Sequence, residues 1–409
     1  MFLLLRPDLI RGSDESPPAS DDRRFCPAKR LQLPPMQHNL PMDAALPPMQ
    51  QALLLARKAL TVSNPNPRVG CVLTNEAGEI VGSGHTQEAG GPHAEIMALR
   101  DAATTGRSVA GATAWVTLEP CSHHGRTGPC CDALVAAGVA RVVASLPDPN
   151  PLVAGRGFER LRASGIAVET GPGAAESREL NIGFFSRMLR KTPWVRLKMA
   201  ASLDGKTALE NGTSQWITGE TARADGHAWR ARADAVLTGI GTVLEDNPQL
   251  DVRLVPAARQ PHLVVVDSRL DTPLHARLFV PARQVFVYYA VPDPVRQAAL
   301  GAKGATLIAQ PGPGGKVDLA AMLRDLALRE MNEVHVEAGH KLNGSFMREG
   351  LVDELLVYLA PKLLGAGREM ASFGPIGDLT DAVGLRFLST DMLDGDLRVV
   401  ARIVGRDAF

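Results

Sequence analysis

Apolar positions along the chain come in short runs separated by polar stretches and turns. Residues 68–74 (RVGCVLT), 79–84 (EIVGSG), 113–118 (TAWVTL), 140–145 (ARVVAS) and 166–169 (IAVE) are rich in β-formers, and each predicts a strand. Helical spacing fills the gaps at 93–105, 129–138 and 154–164. A further helix is expected over 47–60, where the opening prolines stand at positions that need no donated N–H. Residues 171–192 carry one helical pattern after their glycines and hand over to a second alternation. That second set predicts strands at 194–200, 235–239, 262–267, 284–289, 333–337, 354–360 and 397–404, with helices at 218–233, 317–330 and 340–350. Apolar strands alternating with helices predict α/β sheets covered on both faces, here twice in succession. Residues 1–45 are rich in Pro, Asp, Arg and Ser and have no period, so a disordered tail is expected there, with Met42 a candidate start. The expected organisation is a tail at 1–45, one domain at 46–190 and a second at 191–409.

Composition then removes several function classes. A chain of 409 residues is long enough for two domains, and 45% apolar content supports two cores. Lys plus Arg equals Asp plus Glu at 44 each, which leaves no whole-chain footprint for nucleic acid or anionic membrane. Aromatic residues make up 4%, too few for a base-stacking platform. Nowhere do enough apolar residues run together for a membrane span. The cysteines are Cys26, Cys71, Cys121, Cys130 and Cys131, an odd and sparse set that fits a reducing compartment better than a disulfide framework. A cytoplasmic location is therefore expected. Cys26 has no evident role, and Cys131 is expected to be structural.

The chemistry-bearing feature of the first half is His93-Ala94-Glu95 followed by Pro120-Cys121 and Cys130. One imidazole and two thiolates form a borderline-soft donor set for zinc, and three protein ligands leave a fourth position open, the mark of a catalytic site. Glu95, two residues after His93, need not ligate the metal and suits proton transfer instead. A His-x-Glu…Pro-Cys…Cys pattern is the signature of zinc deaminases, in which the glutamate is the general acid/base. In this chain eight residues separate Cys121 from Cys130, where nucleic-acid and nucleoside deaminases have two. That polar, basic loop suits an anionic substrate.

With this loop the first half resembles the deaminase half of the RibD family, bacterial bifunctional proteins of riboflavin biosynthesis. The resemblance implies a cytidine-deaminase-like α/β/α domain and contacts to a phosphoribosyl pyrimidine from His123 and Arg126 in the loop. It likewise implies substrate contacts from Asn66 in Asn64-Pro65-Asn66-Pro67-Arg68 and from Asp148 and Asn150 in the DPNP run. Thr86, with His85 beside it, stands where the family often has a histidine.

The second half has no GxGxxG after a strand, so an ordinary dinucleotide-binding fold is not signalled. Pro311–Gly315 reads as a surface loop. The set KMAASLD (198–204), Ser214–Thr218, Gly239–Thr242 leading to Asp246-Asn247-Pro248, Asp267-Ser268 and Val336–Gly339 resembles the reductase half of the same family. Read by residue type alone, Arg230 and Arg253 are candidates to clamp a phosphate. The resemblance implies a dihydrofolate-reductase-like α/β domain using NADPH. It places Ser214, Arg230, Leu250, Arg253 and Glu337 around the substrate. It places Ala200, Trp216, Thr242, Asp246, Ser268 and the Gly339–Ser345 loop (Gly339, His340, Lys341, Leu342, Asn343, Gly344 and Ser345) around the cofactor.

Together the halves imply hydrolytic deamination of 2,5-diamino-6-(5-phosphoribosylamino)pyrimidin-4(3H)-one, then NADPH-dependent reduction of its ribosyl group to ribityl. The implied cofactors are one Zn2+ and NADPH. The expected partners are small phosphoribosyl-pyrimidines and further copies of the chain, with neither nucleic acid nor membrane. Two other readings make different demands. A nucleoside or nucleic-acid deaminase with an accessory domain requires salt-sensitive polynucleotide binding. A structural zinc module requires a fourth protein ligand.

Overall fold

The structure, a computed structural model, describes residues 46–123, 128–151 and 153–409. The expected tail, Cys26 and Arg126 lie outside the described residues. Helix α1 (Pro48–Lys58) begins on Pro47 and Pro48, whose fixed φ suits a helix start. Strands β1 (Gly70–Thr74) and β2 (Ile80–His85) pair antiparallel. Helix α2 (Ala94–Thr104), β3 (Thr113–Val116), α3 (Cys130–Ala136), β4 (Arg141–Ala144), α4 (Arg156–Ala163) and β5 (Ala167–Thr170) follow. The strands form a five-stranded sheet in the order β2-β1-β3-β4-β5. Successive residues of β1 point to opposite faces, and both faces are covered. Val72 and Val143 meet Met49 and Leu53 of α1, while Cys71 and Leu73 meet Ala98, Leu134 and Leu161 of α2, α3 and α4. Burial on both sides explains why β1 reads as an unbroken apolar run.

The stretch expected to be helical at 171–192 folds as two helices, α5 (Ala174–Leu180) and α6 (Ile182–Arg190). Asn181 stands between them because its side chain is taken by Arg68: its Oδ1 accepts from Arg68 N at 2.7 Å and its Nδ2 donates to Arg68 O at 3.0 Å. A side chain that satisfies a distant backbone in this way competes with continuous helix.

The second half begins with β6 (Trp194–Ser202), β7 (Lys206–Leu209), α7 (Glu220–Arg232), β8 (Ala235–Gly239), α8 (Ile240–Asp246) and β9 (His262–Val266). It continues with β10 (Val285–Tyr289), α9 (Pro294–Ala302), β11 (Ala305–Ala309), α10 (Leu319–Leu328), β12 (Glu333–Val336) and α11 (His340–Arg348). It closes with β13 (Glu354–Ala360), β14 (Gly367–Glu369), β15 (Leu385–Leu393) and β16 (Asp396–Ile403). A nine-stranded sheet runs β11-β10-β9-β8-β12-β6-β13-β16-β15. It is parallel from β11 to β13 and antiparallel at β16 and β15. One face packs Leu326 of α10 and Phe346 of α11 on Leu197, Leu237 and Val334. The other packs Val243 of α8 and Leu300 of α9 on Val236, Leu263 and Val265.

Several elements were not expected from the pattern. The β7–β14 ribbon is held by pairing between Ala208 and Arg368, far apart in sequence, and neither strand carries a period of its own. Strand β15 is an edge whose residues are exposed or half-buried, so its composition does not mark it. Helix α9 did carry a local signal, since Asp293 caps it and Pro294 opens it. Residues Pro313–Gly315, in the predicted surface loop, form an exposed 3-10 turn.

Candidate active sites

Three turns of the first half meet at one point. His93 follows Pro92 and occupies the cap of α2 with extended backbone. Cys130 is the first residue of α3, set there by Pro129. Cys121 lies on the turn after β3. His93 Nδ1 is 3.5 Å from Cys121 Sγ and 3.3 Å from Cys130 Sγ, and the three ligand atoms lie within 4.8 Å of one another. Cys130 N also points at Cys121 Sγ at 3.4 Å. The Cys130 thiol, donating to Cys121, holds the Cys121 thiol down to about 4, with His93 adding to the effect. The same contact, with burial, pushes the Cys130 thiol upward. One imidazole and two cysteine sulfurs so placed fit zinc, which takes cysteine as thiolate, and no fourth His, Cys, Asp or Glu among the described residues joins them. Cys131 faces away, its thiol 3.2 Å from Pro120 O.

Glu95 sits in the first turn of α2 and is 4% exposed. Burial, reinforced by the negative charge of Cys121 and opposed by His93, pushes its carboxyl up to about 7. A carboxyl tuned there can hold or release a proton near neutrality.

A cavity of about 290 Å³ opens beside these groups, lined by Asn66, His93, Glu95, Cys121, His123, Asp148 and Asn150 among others. Each deaminase residue expected from the sequence and lying among the described ones is therefore on or beside this cavity, while Arg126 lies outside the described residues. His123 Nδ1 is buried with no hydrogen-bond partner among the described residues. Burial pushes the Asp148 carboxyl up to about 7, against the pull of Asn150 N at 2.7 Å. His85 does not line the cavity: its Nδ1 lies 3.1 Å from Thr86 O, and Thr86 is the residue on the wall. The sequence reading missed Glu119. Its buried carboxylate accepts from Asp148 N at 3.0 Å, Gly155 N at 2.9 Å and Gly157 N at 2.9 Å, tying the DPNP segment to the Pro120-Cys121 turn. Its position immediately before Pro120-Cys121 was the available signal.

A second cleft, about 980 Å³, lies in the other half. It is lined by Ser214, Arg230, Leu250, Arg253 and Glu337, and by Ala200, Trp216, Thr242, Asp246, Gly339, His340 and Asn343. Ser268, Lys341, Leu342, Gly344 and Ser345 are not on its wall. The expected Gly339–Ser345 loop is helical from His340 onward, and a helix turns only one face to the cleft, here His340 and Asn343. Leu342 packs into the core instead, and Gly344 is pressed against Ser372, whose carbonyl oxygen would lie 1.9 Å from an added Cβ. Ser268 lies past β9, its carbonyl accepting from Val291 N at 2.9 Å.

The two arginines expected to clamp phosphate are already engaged. Arg230 forms a fork with Glu337 through Nε–Oε1 and a 2.9 Å Nη2–Oε2 bond, and donates to Asp251 O at 2.9 Å. Arg253 is ion-paired with Asp251. Burial opposes charge on Glu337, yet Arg230 holds its carboxyl well below the usual range. Lys198, quoted in the sequence motif without a role, lies on β6 at the same cleft, 3.8 Å from Glu337, and burial lowers its ammonium. His227 is pushed down to about 4 by burial and by Arg230 and Arg253, so its ring stays neutral.

Family profiles match both halves: "Cytidine and deoxycytidylate deaminase zinc-binding region" over residues 44–146 and "RibD C-terminal domain" over 193–399. The chain is 46% identical to riboflavin biosynthesis protein RibD of Escherichia coli K12 over 358 residues, 83% of this chain and 94% of that one. The RibD of Aquifex aeolicus is 39% identical over 85% of this chain and 96% of its own. Among solved structures, Acinetobacter baumannii RibD superposes with a TM-score of 0.79 at 40% identity, covering 87% of this chain and 98% of that one. A diaminohydroxyphosphoribosylaminopyrimidine deaminase/5-amino-6-(5-phosphoribosylamino)uracil reductase of Thermotoga maritima does so at 0.77 and 34% identity, covering 87% and 97%.

Proposed function

The chain belongs to the RibD family of bifunctional riboflavin-biosynthesis enzymes, deaminase and reductase in one chain, and from that premise we propose how its residues divide the work. Deamination is assigned to residues 46–190 and reduction to 191–409.

In the first site His93, Cys121 and Cys130 would hold zinc, which would supply the Lewis acidity that activates water for attack. Glu95 carries the protons. It accepts one as water adds to the ring and returns it to the departing ammonia. Its burial, which raises its carboxyl to about 7, lets it hold or release that proton near neutrality. Asn66, Asp148 and Asn150 orient the pyrimidine, while His123 and Arg126 meet the phosphoribosyl group. In the second site NADPH supplies the hydride. Ala200, Trp216, Thr242, Asp246 and the start of α11 hold the cofactor; Ser214, Leu250, Arg253 and the Arg230–Glu337 pair bound the substrate.

The carrying observation is that His93, Cys121 and Cys130 converge beside a buried, proton-ready Glu95, apart from a second and larger cleft. The structural zinc module finds no fourth ligand among the described residues. Purified protein given the diaminopyrimidine substrate without NADPH should release ammonia, and NADPH added afterwards should be consumed. Consumption of NADPH with no ammonia released would overturn the deaminase assignment.

The partners are small molecules and, by the expectation carried over from the sequence, a second copy of the chain. The exposed edge strand β15, with Phe387 and Met392 outward, supports an assembly, and light scattering on the purified protein tests it. No helix among the described residues is long and apolar enough to cross a membrane. Among the described residues Cys71, Cys121, Cys130 and Cys131 form no disulfide, which supports a reducing cytoplasm as the location.

A further inference from the structure

The loop that carries Asn66 along the deaminase cavity is fastened from the other half of the chain. Asn332 lies immediately before β12, is 4% exposed, and reaches Pro65 across 267 residues: its Nδ2 donates to Pro65 O at 2.9 Å. Its Oδ1 accepts from Arg187 Nε at 2.6 Å, and Arg187 Nη2 turns back to the same Pro65 carbonyl at 3.4 Å. Asn332 is itself held at both backbone ends, its N–H by Asp234 Oδ2 at 2.9 Å and its carbonyl by Trp194 N at 2.7 Å. Asp234 also accepts from Asn64 Nδ2 at 2.7 Å. The approach is close: a Cβ on Gly183 of α6 would lie 2.7 Å from Asn332 O. Arg187 and Glu330 complete the cavity wall on this side. An amide with its donor and its acceptor both satisfied, on a backbone held at both ends by Asp234 and Trp194, is a rigid anchor.

We propose that Asn332, a residue of the reductase half, is a positioning residue for deamination: its side chain clamps the Pro65 carbonyl and so sets Asn66 against the pyrimidine. Isolated from its reductase, the deaminase would keep the groups that bind zinc and lose the anchor of its substrate loop. This rests on Asn66 being a substrate contact, as proposed above. A small shift of a substrate-positioning group acts on rate out of proportion to the displacement.

The test is a double-mutant cycle on the full chain, read as deaminase kcat/KM, zinc content and reductase kcat/KM on the deaminated substrate. Asn332→Ala is expected to lower deaminase kcat/KM by about tenfold or more, chiefly through KM, with zinc content retained and reductase kcat/KM within about twofold of the parent. In an Asn66→Ala background it should cost nothing further, because the group it positions is gone. If the alanine variant does not fold, Asn332→Asp serves. It keeps the acceptor for Arg187 but sets a carboxylate oxygen against Pro65 O, and the same loss is expected. Additive losses in the double variant, or equal losses in both activities, would overturn the clamp and leave Asn66 as a contact. An Asn66→Ala variant with undiminished deamination would instead overturn the Asn66 assignment, and the clamp with it.

Discussion

Glu95 and His227 are both buried side chains moved from their ordinary titration range, in opposite roles. Glu95→Gln keeps the shape and removes the titratable proton. Ammonia release should fall by roughly 10²- to 10⁴-fold, with zinc content unchanged and NADPH oxidation on the deaminated substrate intact. Parallel loss of both activities would contradict two separate sites. His227 has its folded pKa depressed to about 4 from 6.5, so the unfolded chain binds the extra proton first. Its contribution to stability is present above about 6.5 and is lost as pH falls toward about 4. Melting temperature measured across that window should drop less in His227→Gln than in the parent. Glu95 was legible because His93 stands two residues away, whereas His227 sits in no motif, and its shift comes from Arg230 and Arg253 brought near by the fold.

Elements place these side chains to within their packing tolerance. Helix α2 carries His93 at its cap and Glu95 in its first turn, and it lies directly on β2. A Cβ on Gly84 would fall 2.6 Å from Ala98 N and 2.7 Å from Ala94 O, so the strand and helix meet backbone to backbone there. Gly84→Ala should push α2 outward, destabilise by about 1–3 kcal/mol and lower deamination more than reduction. Equal effects on the two activities in a thermally matched assay would argue against that local route. Most helices and strands were readable where an apolar run has a period or a helix opens on a proline or Asp, as at α1 and β1, whereas β7, β14 and β15 carried no such signal. The break at Asn181 was not readable. It depends on Arg68, 113 residues away.

At the scale of the molecule the two sheets are joined by buried charge. Glu333, at the start of β12, receives Arg68 from the first half and Arg196 and Arg232 from the second. Burial opposes its charge, yet Arg232, Arg68 and Arg196 hold its carboxyl well below the usual range. Glu333→Gln would leave three arginines short of their counter-charge, at a cost on the order of 3–5 kcal/mol. Both halves should then unfold at a lower temperature, whereas Glu333→Gln melting like the parent would show that the cluster does not join them. The four residues are scattered through both halves, and no spacing links Arg68 to Glu333.

The sequence by itself determined the α/β alternation and singled out the candidate zinc ligands and the candidate general acid/base. Those signals are local: a strand has its period, a helix its cap, and zinc its soft donors at short spacings. It also carried the resemblance that names both reactions. Only the tertiary structure decided that Arg230 is committed to Glu337, that the segment expected as a cofactor loop is one face of α11, and that the deaminase loop is anchored by Asn332. Each of these depends on which distant groups meet once the sheets have packed, and a buried polar group takes whatever partner the fold brings within hydrogen-bond reach.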